Sequence, residues 1–211
     1  MSDDYNLAEL KIALDATDPR HILPPPLPAD FKVLDVGCGA GQSLVGAYPD
    51  RLSFGIDIDL QALKTGKSIS DRIFLVNGTA EKLPFKGRQF DFVFARVALP
   101  YTNISISLRE IRRVLNEGGR IWLVLHPFAI VWKQVKATNY KGKIWFAYIV
   151  LNSVAFHFLQ RQFSFLGRYE SFQTERGITQ ALIQNGFEDI QITRGKHFLA
   201  TARVKPDARR H

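Results

Sequence analysis

Asp35, Gly37, Gly39 and Gly41 stand at alternate positions in the stretch Val33-Leu-Asp-Val-Gly-Cys-Gly-Ala-Gly41. Glycines so spaced let the backbone turn sharply and let a ligand lie against bare peptide N–H groups at a helix N-terminus. A second acid, Asp57, follows about 20 residues beyond the first glycine, where a carboxylate can accept hydrogen bonds from both hydroxyls of a ribose. Asp59 competes for that role, but its place just ahead of a helical run makes it an N-cap. The spacing excludes two nucleotide loops. A dinucleotide dehydrogenase needs its third glycine at residue 42, which is Gln42, and a phosphate-binding loop ending in Gly66-Lys67-Ser68 needs a glycine at residue 61, which is Gln61.

The elements that position these residues are read from hydrophobic periodicity. Val33–Val36 is a short apolar strand running into the glycines, Gln42–Tyr48 a helix, Ser53–Asp57 a second strand and Leu60–Lys67 a second helix. Strands follow at Ile73–Val76, Phe90–Ala95 and Ile121–Leu125. Between the last two lies a helix with Ile104, Leu108, Ile111 and Leu115 on one stripe and a capping box at Ser107 and Glu110. Its other face carries Arg109, Arg112 and Arg113, a solvated surface. The fourth strand ends in Arg96-Val-Ala-Leu-Pro-Tyr101 beside the first, at the switch point where doubly wound sheets bind ligands; the fifth ends at His126. Thr174–Asn185 is a helix closed by Gly186, and Phe187–Thr193 and Phe198–Val204 form a late hairpin. Ahead of the first strand, Leu7–Leu14 reads as a short helix with Leu7, Leu10, Ala13 and Leu14 at helical spacing, an N-terminal flap or a lid.

The glycine loop is joined by Asn77-Gly-Thr-Ala-Glu-Lys-Leu-Pro-Phe85, by Phe90-Asp91-Phe-Val-Phe and by Arg113-Val-Leu-Asn-Glu-Gly-Gly119. In this order the four resemble the motifs of the class I S-adenosylmethionine-dependent methyltransferases, type 11 (small-molecule) branch, over about residues 32–126 and more loosely 174–204. The resemblance implies an α/β, doubly wound, mostly parallel seven-stranded sheet with a late antiparallel strand. It implies S-adenosylmethionine as cofactor and S-adenosylhomocysteine as product. The methionine end would lie at Asp35, Gly37, Cys38, Gly39 and Gly41, the ribose at Asp57, and adenine between Ile58 and Ala80, with Arg96 at the site's edge. The family commonly places an aspartate for the adenine amino group where this chain has Thr79, and a proline where it has Glu117. Methyl transfer needs mostly proximity and orientation, with a general base only for a protonated acceptor. His126 and Tyr101 are the first choices, with His157 and Tyr169 behind them. Cofactor-binding without catalysis, as in a regulator or partner protein, and nucleic-acid methylation are the competing functions.

Residues 127–172 interrupt the alternation of strand and helix after the fifth strand. The 211-residue chain is expected to be a single domain carrying them as a helical insertion, a lid over the acceptor pocket. From Gly118 to Tyr169 there is no Asp or Glu, while Arg120, Lys133, Lys136, Lys141, Lys143, Arg161 and Arg168 and all three tryptophans fall inside. Ile144–Leu159 is apolar on nearly every side and short for a bilayer span of roughly 20 residues. It reads as a helix roofing a hydrophobic pocket or, alternatively, as a helix lying on an anionic membrane surface. The expected acceptor is therefore small and apolar. The net charge of +8 favours anionic partners in general, but nothing resembles an appended nucleic-acid-binding domain. The only cysteine, Cys38, is a small space-filling residue in the loop, no Cys and His set has metal-ligand spacing, and no secretory h-region follows the acidic start. A cytoplasmic protein, with peripheral membrane contact as an option, is expected.

Overall fold

Val33, Leu34, Asp35 and Val36 are all buried, as a strand covered on both faces requires. In the computed structural model, which describes residues 3–126 and 140–206, this strand, β1, lies inside a seven-stranded sheet, flanked on both sides by parallel strands. The others are β2 (Ser53–Asp57), β3 (Ile73–Asn77), β4 (Phe90–Arg96), β5 (Leu115–Leu125), β6 (Phe187–Arg194) and β7 (Phe198–Val204), in the order β3-β2-β1-β4-β5-β7-β6. β7 runs antiparallel to both neighbours, and β1 to β5 are parallel. This is the doubly wound, mostly parallel sheet with a late antiparallel strand that the motifs imply.

The described helices are α1 (Asp3–Leu14), α2 (Gln42–Ala47), α3 (Leu60–Lys67), α4 (Ile104–Val114), α5 (Tyr140–Leu159) and α6 (Glu175–Gln184). Alternation along the strands sends side chains to opposite faces. Leu34, Val93, Ala95, Ile121 and Leu123 pack beneath α4 and α6, while Val33, Phe92, Phe94, Trp122 and Val124 meet Leu44 of α2 and Tyr48 beyond it. The Pro-rich lead-in is strapped to the second face by Arg51, which donates to the carbonyls of Leu27, Pro28 and Phe31.

Several local expectations are corrected. α4 is capped by Asn103, whose side chain accepts from the Ile106 N–H at 3.2 Å, not by a Ser107–Glu110 box. Ser107 is buried and donates to Thr102, while Glu110 accepts the Leu83 N–H, because tertiary partners compete for both side chains. Arg113 is not simply solvated: it pairs with Glu110 at 2.8 Å and donates to the Leu83 and Phe85 carbonyls, fastening the loop after β3. β5 begins at Leu115, since Leu115 pairs with Phe90 across an irregularity in register. On α1 the buried residues are Asn6, Ile12 and Ala13, whereas Leu7 and Leu14 of the expected stripe are exposed. α1 packs on α2 and α3, so a face bearing polar groups turns inward.

The insertion helix α5 has 20 residues, longer than the apolar run first suggested, because the lysine-flanked turn ahead of Ile144 continues it. Its stretch Gly142–Leu159 is, among the described residues, the one helix long and apolar enough to cross a membrane by length and composition. It is nonetheless bound to the domain. Phe156 sits in the main core against Gly177, His157 Nδ1 lies 2.6 Å from Thr174 Oγ1, and Gln160 donates to the Gly177 carbonyl. Trp132, Lys133 and Lys136 of the insertion lie outside the described residues.

Candidate functional site

The C-terminal ends of β1, β2, β4 and β5 open onto one cavity of about 1000 Å³. Of the residues placed at the site from sequence, Asp35, Gly37, Cys38, Gly39, Asp57, Ile58, Thr79, Ala80, Arg96, Tyr101, His126 and Tyr169 line it, and Gly41 and His157 do not. Gly41 instead turns the chain into α2, with φ +79° and its Cα facing Ile73 and Leu75. A smaller hollow of about 290 Å³, between Pro26–Arg51 residues, lies at the opposite ends of the strands and gathers no chemistry.

The glycine loop works differently from a phosphate cradle. Gly37 N–H and Cys38 N–H both donate to the Ile56 carbonyl, and Gly41 N–H donates to the Cys38 carbonyl. Gly39 N–H donates to Asp57 Oδ2 at 2.8 Å. The expected bare N–H groups are thus spent inside the protein. What the glycines supply is closeness: a Cβ on Gly37 would lie 2.2 Å from the Ala98 Cβ, and Gly37 has φ +77°. Cys38 is buried with its sulfur against Gly55, where a methyl group would meet it at 2.7 Å, so it does fill space. Ala98 is delivered by Val97, a β-branched residue at φ +62°, a conformation such side chains rarely adopt.

Charge decides what the cavity can hold. Glu9, Asp35, Asp57, Asp59, Glu81 and Glu170 line it, against Arg96 and Arg168. The positive balance of the chain therefore lies elsewhere, and this cavity favours a cation. Asp35 is fully buried and its Oδ1 has no hydrogen-bond partner among the described residues. Burial holds its carboxyl well above the usual carboxylate range; Arg96 pulls the other way and Asp57 adds to the rise. Asp57 accepts from Gly39 N–H and, through Oδ1, from Asp59 N–H, which fixes its rotamer at the end of β2. Asp59 caps α3, accepting from Gln61 N–H and Ala62 N–H.

Of flap and lid, the two readings of the N-terminal helix, the lid fits, through residues that no sequence signal singled out: Tyr5, Asn6 and Glu9 of α1 line the cavity, which makes α1 a cover over the site. Glu9 pairs with Arg96 at 2.7 Å, both side chains about one-fifth exposed. Asn6 is buried with its Nδ2 unpartnered among the described residues, and its carbonyl and Oδ1 face Gln42 Nε2. No motif marks these residues, which are scattered among the other polar positions of α1, Asp3, Asp4 and Lys11.

Tyr101, His126 and Tyr169 also line the cavity. The Tyr101 and His126 rings meet edge to face, centroids 5.6 Å apart. Burial lowers the His126 pKa from its ordinary 6.5 and raises that of Tyr101, with Glu170 and Tyr5 adding to the latter. His126 is anchored through its backbone, donating to Gln173 Oε1 and accepting from Gln173 N–H, which leaves the imidazole to the cavity. His157, in contrast, is bound to Thr174 and lies outside the cavity. α5 does not line the cavity either. Its part is to brace the segment that does: Asn152 accepts from Phe163 N–H and donates to the Glu170 carbonyl, and Trp145 donates to Glu170 Oε2 at 2.6 Å, so Gly167–Glu170 form the rim.

These groups suit S-adenosylmethionine. Asp35 Oδ1 is an unused acceptor for an ammonium group, Asn6 Nδ2 an unused donor for a carboxylate, and Ile58 and Ala80 are apolar walls for a flat base. Comparison with known proteins agrees. Residues 34–123 match the family model described as a methyltransferase domain, type 11. The chain is 31% identical over 105 residues to the uncharacterized methyltransferase YcgJ of Bacillus subtilis, covering 46% of this chain and 42% of that one. It is 33% identical over 104 residues to the ubiquinone/menaquinone biosynthesis C-methyltransferase UbiE of Allorhizobium ampelinum, covering 44% and 40%. A solved S-adenosylmethionine-dependent methyltransferase of Methanosarcina mazei superposes with a TM-score of 0.59 at 21% identity, covering 86% of this chain and 95% of that one. The fold and site define a class I S-adenosylmethionine-dependent methyltransferase domain. Within that class it is the stretch of residues 34–123 that matches the type 11 family model, and family and fold alike imply S-adenosylmethionine as cofactor. The matches span about half or less of the length of these curated relatives.

Proposed function

We propose that this protein transfers a methyl group from S-adenosylmethionine to a small, apolar, aromatic acceptor bearing an ionisable proton. The observation that carries the reading is what the cavity brings together: the unpartnered Asp35 and Asn6 atoms and the rings of Tyr101, His126 and Tyr169. Bound S-adenosylmethionine supplies a methyl group already activated on a sulfonium. The residues here hold its charged ends, aim the acceptor and move one proton. Asp35 and Asn6 take the ammonium and carboxylate of its methionine end, and Asp57 takes the ribose hydroxyls. Of the insertion, Gly167–Glu170 act as the rim over the acceptor, braced from behind by α5.

His126 serves as the base. With its pKa held below 6.5 it is neutral at pH 7 and free to accept the acceptor's proton, while Tyr101, pushed up, stays protonated and donates a hydrogen bond. With the sulfonium's methyl group passing to the acceptor, the part left to the chain would be to take the acceptor's proton onto a ring nitrogen of His126. The name of one relative, a quinone-biosynthesis C-methyltransferase, supports an aromatic acceptor. The acid-lined cavity speaks for a small molecule over a nucleic acid, whose phosphates it would repel. We place the reaction in the cytoplasm.

The test is formation of S-adenosylhomocysteine with a panel of phenols, hydroquinones and fatty acids. Turnover is expected with a phenol or hydroquinone, and its rate is expected to fall on the acid side of pH 6.5. His126→Asn should remove that acid limb and most of kcat while cofactor affinity persists. Cofactor binding without turnover on any aromatic acceptor would instead favour a regulatory protein.

A further inference from the structure

α5 is built inside out. The side chains it turns into the domain are Ile149, Asn152, Ser153 and Phe156, two of them polar. Among those it turns to solvent, Ile144, Ala147, Leu151, Val154 and Phe158 are apolar and spaced three and four residues apart, so they form one stripe. Leu151 is 70% exposed and Phe158 63%. An ordinary surface helix has the reverse arrangement.

The stripe does not stand alone. Phe165 packs on Trp145 and Tyr148, at the shoulder of the stripe, with centroids 5.7 and 5.4 Å away. Phe165 and Arg168 pair across a two-residue hairpin whose tip is Leu166-Gly167, both at positive φ (+50° and +74°). The first tip position suits Asn, Asp or Gly, and a leucine there is strained. Leu166 is nevertheless 84% exposed, so it neither relieves the turn nor fills the core. Phe163 beside it is also exposed. Helix stripe and hairpin tip therefore form one continuous apolar surface.

Its surroundings identify the occupant. Lys143, Arg161 and Arg168 are exposed around this surface, and no acid occurs between residues 118 and 169. A second copy of the chain would bring like charges together with no carboxylate from this segment to pair them. Anionic lipid headgroups would neutralise them while the apolar tips enter the acyl boundary. We propose that α5 and the 163–168 hairpin dock this protein on an anionic bilayer surface. The same hairpin continues into Gly167–Glu170, the rim of the cavity, so docking sets the cavity mouth against the bilayer. That the bilayer delivers the acceptor rests on the methyl-transfer reading above; the docking itself does not.

The full-length protein should co-sediment with phosphatidylcholine vesicles containing phosphatidylglycerol, far less with phosphatidylcholine alone, and less as salt rises. Leu151→Gln and Leu166→Gln should each lower the partition coefficient about tenfold, and Lys143→Gln with Arg161→Gln should weaken the salt dependence. Calorimetric binding of S-adenosylmethionine by each variant shows that the fold and site persist, separating failure of docking from failure of the cofactor reading. Absence of wild-type co-sedimentation, or co-sedimentation indifferent to all four changes, would overturn the proposal. So would a dimer in sedimentation velocity that Leu151→Gln dissociates, without vesicle binding, which would give the face to a second copy.

Discussion

Asp57 Oδ2 accepts the Gly39 N–H at 2.8 Å, tying the acid at the end of β2 to the middle of the glycine loop. The residue assigned to the ribose is therefore also a strut of the loop under the cofactor. Asp57→Ala removes the acceptor for Gly39 and for Asp59 N–H as well as the ribose contact. Each bond to a charged group is worth about 1.5–3 kcal/mol. Calorimetry should show affinity for S-adenosylmethionine reduced at least about tenfold, and urea unfolding without cofactor should show a lower midpoint. Unchanged affinity in the folded variant would remove Asp57 from the site.

Asp35 is expected to trade stability for binding. Its folded pKa is raised above the ordinary 3.8 by burial, so between 3.8 and the folded value the native state binds more protons than the unfolded chain. The favourable contribution is complete below pH 3.8 and is lost as pH rises through the folded pKa. Asp35→Asn removes that loss. Thermal unfolding at pH 7 without cofactor should show the Asn variant more stable than wild type, with the gap closing toward pH 4, while cofactor affinity falls.

Thr79 should limit the grip on adenine. Glu81 also lines the cavity, but its Oε1 accepts the Asn103 N–H at 2.9 Å and is held toward α4. Asn77 donates to the Asp57 and Ile58 carbonyls and is committed to the end of β2. Thr79→Asp is expected to tighten S-adenosylmethionine binding about two- to tenfold, the worth of one hydrogen bond of about 0.5–1.5 kcal/mol. Weaker binding would mean that Glu81 already receives the amino group.

The Glu9–Arg96 pair should latch α1 over the site. Glu9→Gln keeps the shape and loses the charge. Trypsin is expected to cut after Lys11 several-fold faster in the variant, and stopped-flow displacement should show faster cofactor release. If both rates match the wild type, α1 is held by Ile12 and Ala13 alone.

The sequence by itself determined what depends on near neighbours. Strand and helix order, the Asp59 and Thr174 caps, the positive-φ glycines and the ends of the parallel strands are local chemistry repeated at fixed spacing, and they placed Asp35, Asp57, Arg96 and His126 around one opening. Tertiary structure decided what depends on competition among distant partners. Glu110 could close a capping box with Ser107, but the Leu83 N–H, 27 residues away, engages it instead. The loop N–H groups look open in sequence, yet the Ile56 carbonyl and Asp57 take them once β2 lies beside β1. α1 could turn Leu7 and Leu14 inward, but the face that fits against α2 carries Asn6. For α5, periodicity cannot choose a buried face when nearly every position is apolar. Asn152 and Ser153 chose it, because the rim segment offers them backbone groups that only protein, and not solvent, holds in place.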